Sequence, residues 1–261
     1  MLRTIAAALA AIVGLAAAGA ARADFSACES AMATKDPGQQ VDLYTLCLSK
    51  GGVPPSDVAG AFNNRGVAYL ALGEEEKAFA DFNAAIQYDP KWGISYANRG
   101  RGWLRRGDLA KAEADFDKAL QLPPARDKAP TFVERAEIRS RRGDFKGALA
   151  DLKQANFRNH GYTAAQNAEA WLLATCPDAS LRDGGKAVEL ATKAVAADPD
   201  PAYRDTLATA YAEAGRFEDA AAEESRAIAA AGAGAGRELK ARLELFKAGK
   251  PFHEAGPANP A

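Results

Sequence analysis

FNNRGVAYLALGEEEKAFADFNAAIQYDP, residues 62–90, and YANRGRGWLRRGDLAKAEADFDKALQLPP, residues 96–124, run in register 34 residues apart. Gly73 aligns with Gly107 and Pro90 with Pro124, and the small and aromatic positions coincide. Self-similarity at this period predicts a stack of helix-turn-helix units, each burying its apolar face against its neighbours instead of in one closed core. A third copy, residues 132–160, keeps Ala136, Gly143, Ala148, Leu152 and Ala155 but begins two residues late and has His160 in place of the proline. Gly66 with Ala78, Gly100 with Ala112 and Ala136 with Ala148 stand where two antiparallel helices approach closely, and Tyr69, Phe82, Trp103 and Phe116 fill the volume that remains. Gly73, Gly107 and Gly143 are expected to end a helix in left-handed backbone, with Asp108 and Asp144 capping the next one.

The order of Phe62, Gly66, Tyr69, Gly73, Ala78 and Pro90 in the first copy resembles the tetratricopeptide repeat. That resemblance implies an all-α fold, an α-solenoid of antiparallel helix hairpins wound as a tetratricopeptide superhelix, with repeats over residues 59–230 and one elongated domain. The fourth copy is irregular. Residues 167–174 read as its first helix and 186–197 as its second, with Pro177 and the pair Gly184 and Gly185 stopping helix between them. The stretch AWLLATCPDASLRDGGKAVELATKAV is similar to one in many bacterial tetratricopeptide proteins, where it forms a repeat with a lengthened internal turn. The last copy, residues 202–230, regains the spacing, although Glu224 replaces an aromatic, which suits a terminal unit facing water. Leu239, Leu243 and Phe246 share one helical face and predict a capping helix over residues 237–248. The tail, residues 249–261, is rich in proline and poor in apolar residues and is expected to be disordered.

Arg3, a short apolar run from Ile5 to Gly19 and the small-x-small triplet Ala21, Arg22, Ala23 predict a cleavable signal peptide over residues 1–23, hence a periplasmic or secreted protein with no stable membrane insertion. Cleavage removes Arg3 and Arg22 from 33 basic residues, leaving 31 against 34 acidic ones, a balance that gives no support to nucleic-acid binding. Cys28 and Cys47 fall on two helices of a degenerate opening hairpin, residues 24–58, with Asp36, Pro37 and Gly38 in the turn between them. In an oxidising compartment they are a candidate disulfide, which leaves Cys176 unpaired as an inert residue of a turn.

No catalytic residue, cofactor or metal site is expected. His160 and His253 lack Cys or carboxylate partners at usable spacing. Asp81 and Asp115 recur with the structural period and follow Lys77 and Lys111 by four residues, which reads as ordinary helix surface. Arg65, Arg99 and Arg135 recur in the same way and belong to the repeat signature. Recognition of another protein or peptide remains.

In the family that the repeats resemble, the first helix of each unit lines a concave groove. The corresponding positions are Asn63, Val67 and Ala71; Ala97, Arg101 and Arg105; and Val133, Glu137 and Arg141, with Asn98 beside them. Asn63, Asn98, Arg101, Arg105, Glu137 and Arg141 are therefore the candidate peptide-binding residues, suited to an extended segment with an acidic group. The clamp by which some family members hold chaperone tails is matched only at Asn98, since Asn63, Val67, Pro130 and Glu134 occupy its other places. The expected role is a non-catalytic scaffold or adaptor in a bacterial envelope. A structural subunit of a larger envelope assembly and, remotely, an enzyme dependent on Cys176 are the alternatives.

Overall fold

The computed structural model describes residues 27–49, 54–122, 128–232 and 236–256. The expected leader, most of the joint before residue 54, most of the small-residue break near 233–235 and the end of the tail lie outside the described residues. All regular structure among them is helical. The chain divides after Ala125 into two compact units, where the sequence suggested one elongated domain. The division falls where the sequence spacing is broken: residues 125–130 separate the second copy from the third and shift its start by two positions.

In the first unit a helical segment over residues 27–33 is followed by α1 (Pro37–Ser49), α2 (Pro55–Ala71), α3 (Glu75–Tyr88), α4 (Gly93–Arg105) and α5 (Leu109–Gln121). The second holds α6 (Ala129–Arg141), α7 (Phe145–Arg158), α8 (Thr163–Thr175), a 3-10 turn at Ala179–Leu181, α9 (Gly184–Ala197), α10 (Pro201–Glu213), α11 (Phe217–Ala231) and α12 (Arg237–Lys247). Each is a run of antiparallel hairpins, so the all-α solenoid reading holds within both units. α2 packs on α3, α4 on α5, α6 on α7, α8 on α9 and α10 on α11.

Local sterics explain the hairpins. Gly73, Gly107, Gly143 and Gly215 follow the first helices with φ between 75° and 83°, a region that costs a side chain with a Cβ. The side chains of Asp108 and Asp144 accept from the backbone N–H groups of Lys111 and Gly147, satisfying donors that a helix start leaves free. Gly66 and Gly100 are set by their partners. A methyl at either would lie 2.7 Å from the ring of Phe82 or Phe116, both fully buried.

Pro37 and Gly38 do not form the turn of the opening hairpin but the first turn of α1, because Asp36 caps the backbone N–H groups of Gly38 and Gln39 at 2.8 and 3.2 Å. Gly184 and Gly185 open α9 under the cap of Asp183, and α8 starts four residues earlier than its sequence suggested. Asp81 and Asp115 are buried, at 5% and 6% exposure, and are bound by Arg65 and Arg99 from the preceding helix. Lys77 and Lys111 pair instead with Glu74 and Asp108. Glu224 does not face water, for α12 covers its repeat and leaves it 0% exposed.

Cys28 and Cys47 form the expected disulfide, their Cα atoms 5.5 Å apart, in a small cluster with Ala31, Tyr44 and Ala61. The tail is also ordered further than its composition suggested. Residues 250–256 are placed against α8 and α10, since Phe252 has an apolar cluster to join that the linear sequence does not display.

Candidate functional site

The predicted groove residues belong to first helices in both units. In the first, Asn63 on α2 and Asn98 on α4 are 2% and 8% exposed. Burial of an amide demands partners, and they find each other: Asn98 Nδ2 donates to Asn63 Oδ1 at 2.9 Å. Arg101 Nη1 donates to Asn98 Oδ1 at 2.5 Å, Asn63 Nδ2 to Asn64 Oδ1 at 3.1 Å, and Asn64 Nδ2 to the Tyr44 hydroxyl at 3.2 Å. The result is a polar string across three helices, α4 to α2 to α1. Burial pushes the Tyr44 hydroxyl above its ordinary pKa, partly opposed by Asn64, so it stays a neutral partner. Arg105 Nη1 donates to the carbonyl of Leu70 in the last turn of α2, which also accepts from the backbone N–H of Gly73. Asn63 and Asn98 thus register adjacent repeats, while Arg101 and Arg105 reach over the face with part of their hydrogen-bonding capacity committed.

In the second unit Glu137 and Arg141, one turn apart on α6, form an ion pair at 2.6 Å with both side chains about half exposed. They line a cleft of about 480 Å³ between α6 and α8. Its floor is apolar, with Val133, Ala136, Phe145, Leu152, Ala168 and Leu172; its polar groups are Glu137, Arg141, Ser140 and Asn167. Asn167 is a lining residue whose Oδ1 is buried and accepts no hydrogen bond from another described residue. Trp171, Glu254 and Ala255 complete the lining.

The six predicted residues are therefore divided. Asn63 and Asn98 are interior, Arg101 and Arg105 bridge helices in the first unit, and Glu137 and Arg141 belong to the cleft in the second. Ser140, Asn167, Trp171 and Glu254 were not anticipated. Trp171 was visible as a large aromatic in the irregular repeat, but nothing local showed that its indole edge faces outward. Glu254 lies in a segment whose composition argued against any structure.

The three recurrent Arg–Asp pairs are internal struts. Arg65, Arg99 and Arg135 each grip an aspartate sixteen residues later through two parallel bonds, at 2.7 and 2.8 Å, 2.8 and 2.7 Å, and 2.8 and 2.5 Å. In the last repeat Leu207 stands at the arginine position, and Glu223, at the aspartate position, is held instead by Arg204 of the same preceding helix. Asp205, at the position of Asn63, is gripped by Arg242 of α12 at 2.7 and 2.8 Å. Glu224 lies behind it, 4.0 Å from Arg242 and wholly buried. Burial, and then the charge of Asp205, raise the Glu224 carboxyl to about 9, which leaves it protonated at neutral pH. Asp205 is also raised, chiefly by burial.

Cys176 is fully buried at the end of α8 and accepts no role from this geometry. Burial pushes its thiol up, opposed in part by a hydrogen bond from the Asp178 backbone and by the charge of Arg182. No cluster of three or more His, Cys, Asp and Glu placed to hold a metal occurs among the described residues. No helix among them is long and apolar enough to cross a membrane.

Residues 59–92 match the sequence model of the tetratricopeptide repeat. No curated protein matches the chain in sequence. Solved structures do match in fold. YrrB, described as a tetratricopeptide protein with an unusual peptide-binding site, superposes with a TM-score of 0.57 at 18% identity over 78% of this chain and 96% of its own. TTC0263 of Thermus thermophilus gives 0.52 at 22% identity over 73% and 99%. PilF of Pseudomonas aeruginosa gives 0.59 at 17% identity over 74% and 86%. One repeat matches in sequence and the other hairpins share its architecture, so the chain has the fold of tetratricopeptide repeat proteins.

Proposed function

We propose that this protein is an exported, non-catalytic adaptor of a bacterial envelope that holds an extended segment of a partner protein against its first helices. The observation that carries this reading is the cleft between α6 and α8, where an apolar floor is bordered by the polar side chains of Glu137, Arg141, Ser140 and Asn167. An extended segment fits such a surface because its side chains fill the floor while its backbone N–H groups supply donors. The peptide-binding site ascribed to YrrB lends the same fold a precedent. Export is supported by the leader-like sequence of residues 1–23 and by the Cys28–Cys47 disulfide, which persists in oxidising compartments.

A constitutive structural subunit is the second reading, favoured by apolar side chains left in water away from the cleft. Phe157 on α7 is 74% exposed, and Tyr88 at the end of α3 is 52% exposed. Site-specific photo-crosslinking in intact cells separates the two. The adaptor reading expects a reproducible protein adduct with the crosslinker at Ser140; adducts confined to position 157 would transfer the role to the flank, and none at either position would overturn both.

A further inference from the structure

The C-terminal segment, residues 250–256, lies along the second unit and is anchored there at Phe252, His253 and Glu254. Phe252 joins the cluster of Ala208, Ala212 and Phe246 and lies with its ring centroid 6.0 Å from that of Trp171. The Arg242 guanidinium sits 5.6 Å from the Trp171 ring and 5.3 Å from the Phe252 ring, held there by its two bonds to Asp205. His253 Nε2 lies 2.7 Å from Glu213 Oε2. The backbone N–H of Glu254 donates to the Thr175 carbonyl at 2.9 Å, one of those that the end of α8 leaves without a helical partner. Its Oε1 accepts from the Trp171 indole N–H at 2.7 Å. Glu254 and Ala255 then form one wall of the cleft between α6 and α8.

We propose that this segment is a built-in ligand of the cleft's rim, and that the site formed by Trp171, Thr175 and Arg242 selects extended peptides carrying an aromatic side chain two residues before a carboxylate. The inference rests on the reading of the cleft as a peptide site and deepens it by naming the ligand class. Each element of that class is met by a matching group. The indole N–H and a terminal carbonyl take a carboxylate and the N–H beside it, and the Trp171–Arg242 pair takes the ring. The segment begins three residues after α12 ends, a tether that raises its effective concentration to the order of millimolar or more. An incoming partner must therefore displace it, and a weak competitor is excluded while a longer one that also fills the open 480 Å³ has the advantage.

The test uses a fluorescent peptide with the sequence of residues 249–256, titrated against the full chain, a chain ending at Gly249 and the full-length Glu254→Arg variant. Both altered chains are expected to bind it about tenfold or more tightly than the parent does, and a Phe252→Ala or Glu254→Gln change in the peptide to remove about tenfold of that affinity. Should the shortened chain fail to fold by circular dichroism, Glu254→Arg carries the comparison alone. Equal binding by parent and altered chains, or binding by none, would overturn the proposal. So would a parent dimer that dissociates on truncation, since the segment would then belong to a second copy. Peptide binding without any adduct at Ser140 in cells would sink the adaptor reading and leave this site standing; an adduct without peptide binding would do the reverse.

Discussion

Glu224 is the residue whose behaviour departs furthest from its exposed-sequence expectation. Its carboxyl, ordinarily near 4.5, is raised to about 9 by burial and by Asp205, with Arg242 opposing the shift and Glu238 acting on Asp205. The folded chain thus keeps a proton that the unfolded chain releases above its ordinary pKa. Stability present at pH 4.5 is lost as the pH rises towards 9. Glu224→Gln keeps the shape and removes the loss. The variant should match the parent near pH 4.5 and exceed it by on the order of 2 kcal/mol at pH 8 in urea denaturation. Parallel stability curves for the two proteins would show that Glu224 is not held protonated. A similar dependence on distant partners governs Asp81, Asp115 and Asp151. The period of Asp81 and Asp115 was readable as part of the repeat, and so was that of Arg65, Arg99 and Arg135, but the pairing across a hairpin was not.

At the scale of elements, the irregular fourth repeat shows how much a helix boundary depends on its neighbour. Read along the chain, Gly184 and Gly185 look like a break. In the structure they are the first turn of α9, and Gly184 is required because a methyl there would lie 2.6 Å from the backbone nitrogen of Ala214. Gly185 has no such neighbour; the nearest atom to an added methyl is Asp183 Oδ1 at 3.5 Å. Gly184→Ala is expected to destabilise by about 1–3 kcal/mol through the forced separation of α9 from the end of α10. Gly185→Ala should be neutral or stabilising by up to about 1 kcal/mol, since alanine loses less backbone entropy in a helix. Chemical denaturation of the two variants side by side decides it, and similar losses from both would refute the close approach. The turn itself was marked by Pro177. What could not be read there is that Arg182 fills it, donating to the Cys176 carbonyl at 2.8 Å and to Glu213 at 2.9 Å.

Across the whole molecule the apolar interior is distributed. One cluster extends from Ala136 on α6 to Ala210 on α10, while the opening hairpin keeps its own around Tyr44 and the disulfide. Damage in such a chain is expected to remain near its source. Reducing Cys28–Cys47 frees a loop whose closure contributes on the order of 3 kcal/mol in the chain-entropy account. Hydrogen exchange should then show lost protection in α1 and α2, with α9–α11 unchanged; uniform loss through both units would contradict a distributed interior. The repeating hairpins, the left-handed glycines, the aspartate caps and the cysteine pair were determined by the sequence alone, because each follows from short-range sterics, from hydrogen bonds within a few residues or from helical spacing. Only the tertiary structure decided that Asn63 and Asn98 are interior, that Glu224 stays protonated, that Trp171 turns its indole N–H to Glu254 and that the tail lies down on α8. These outcomes depend on which distant side chains exclude water from a polar group, and that exclusion exists only once the helices are packed.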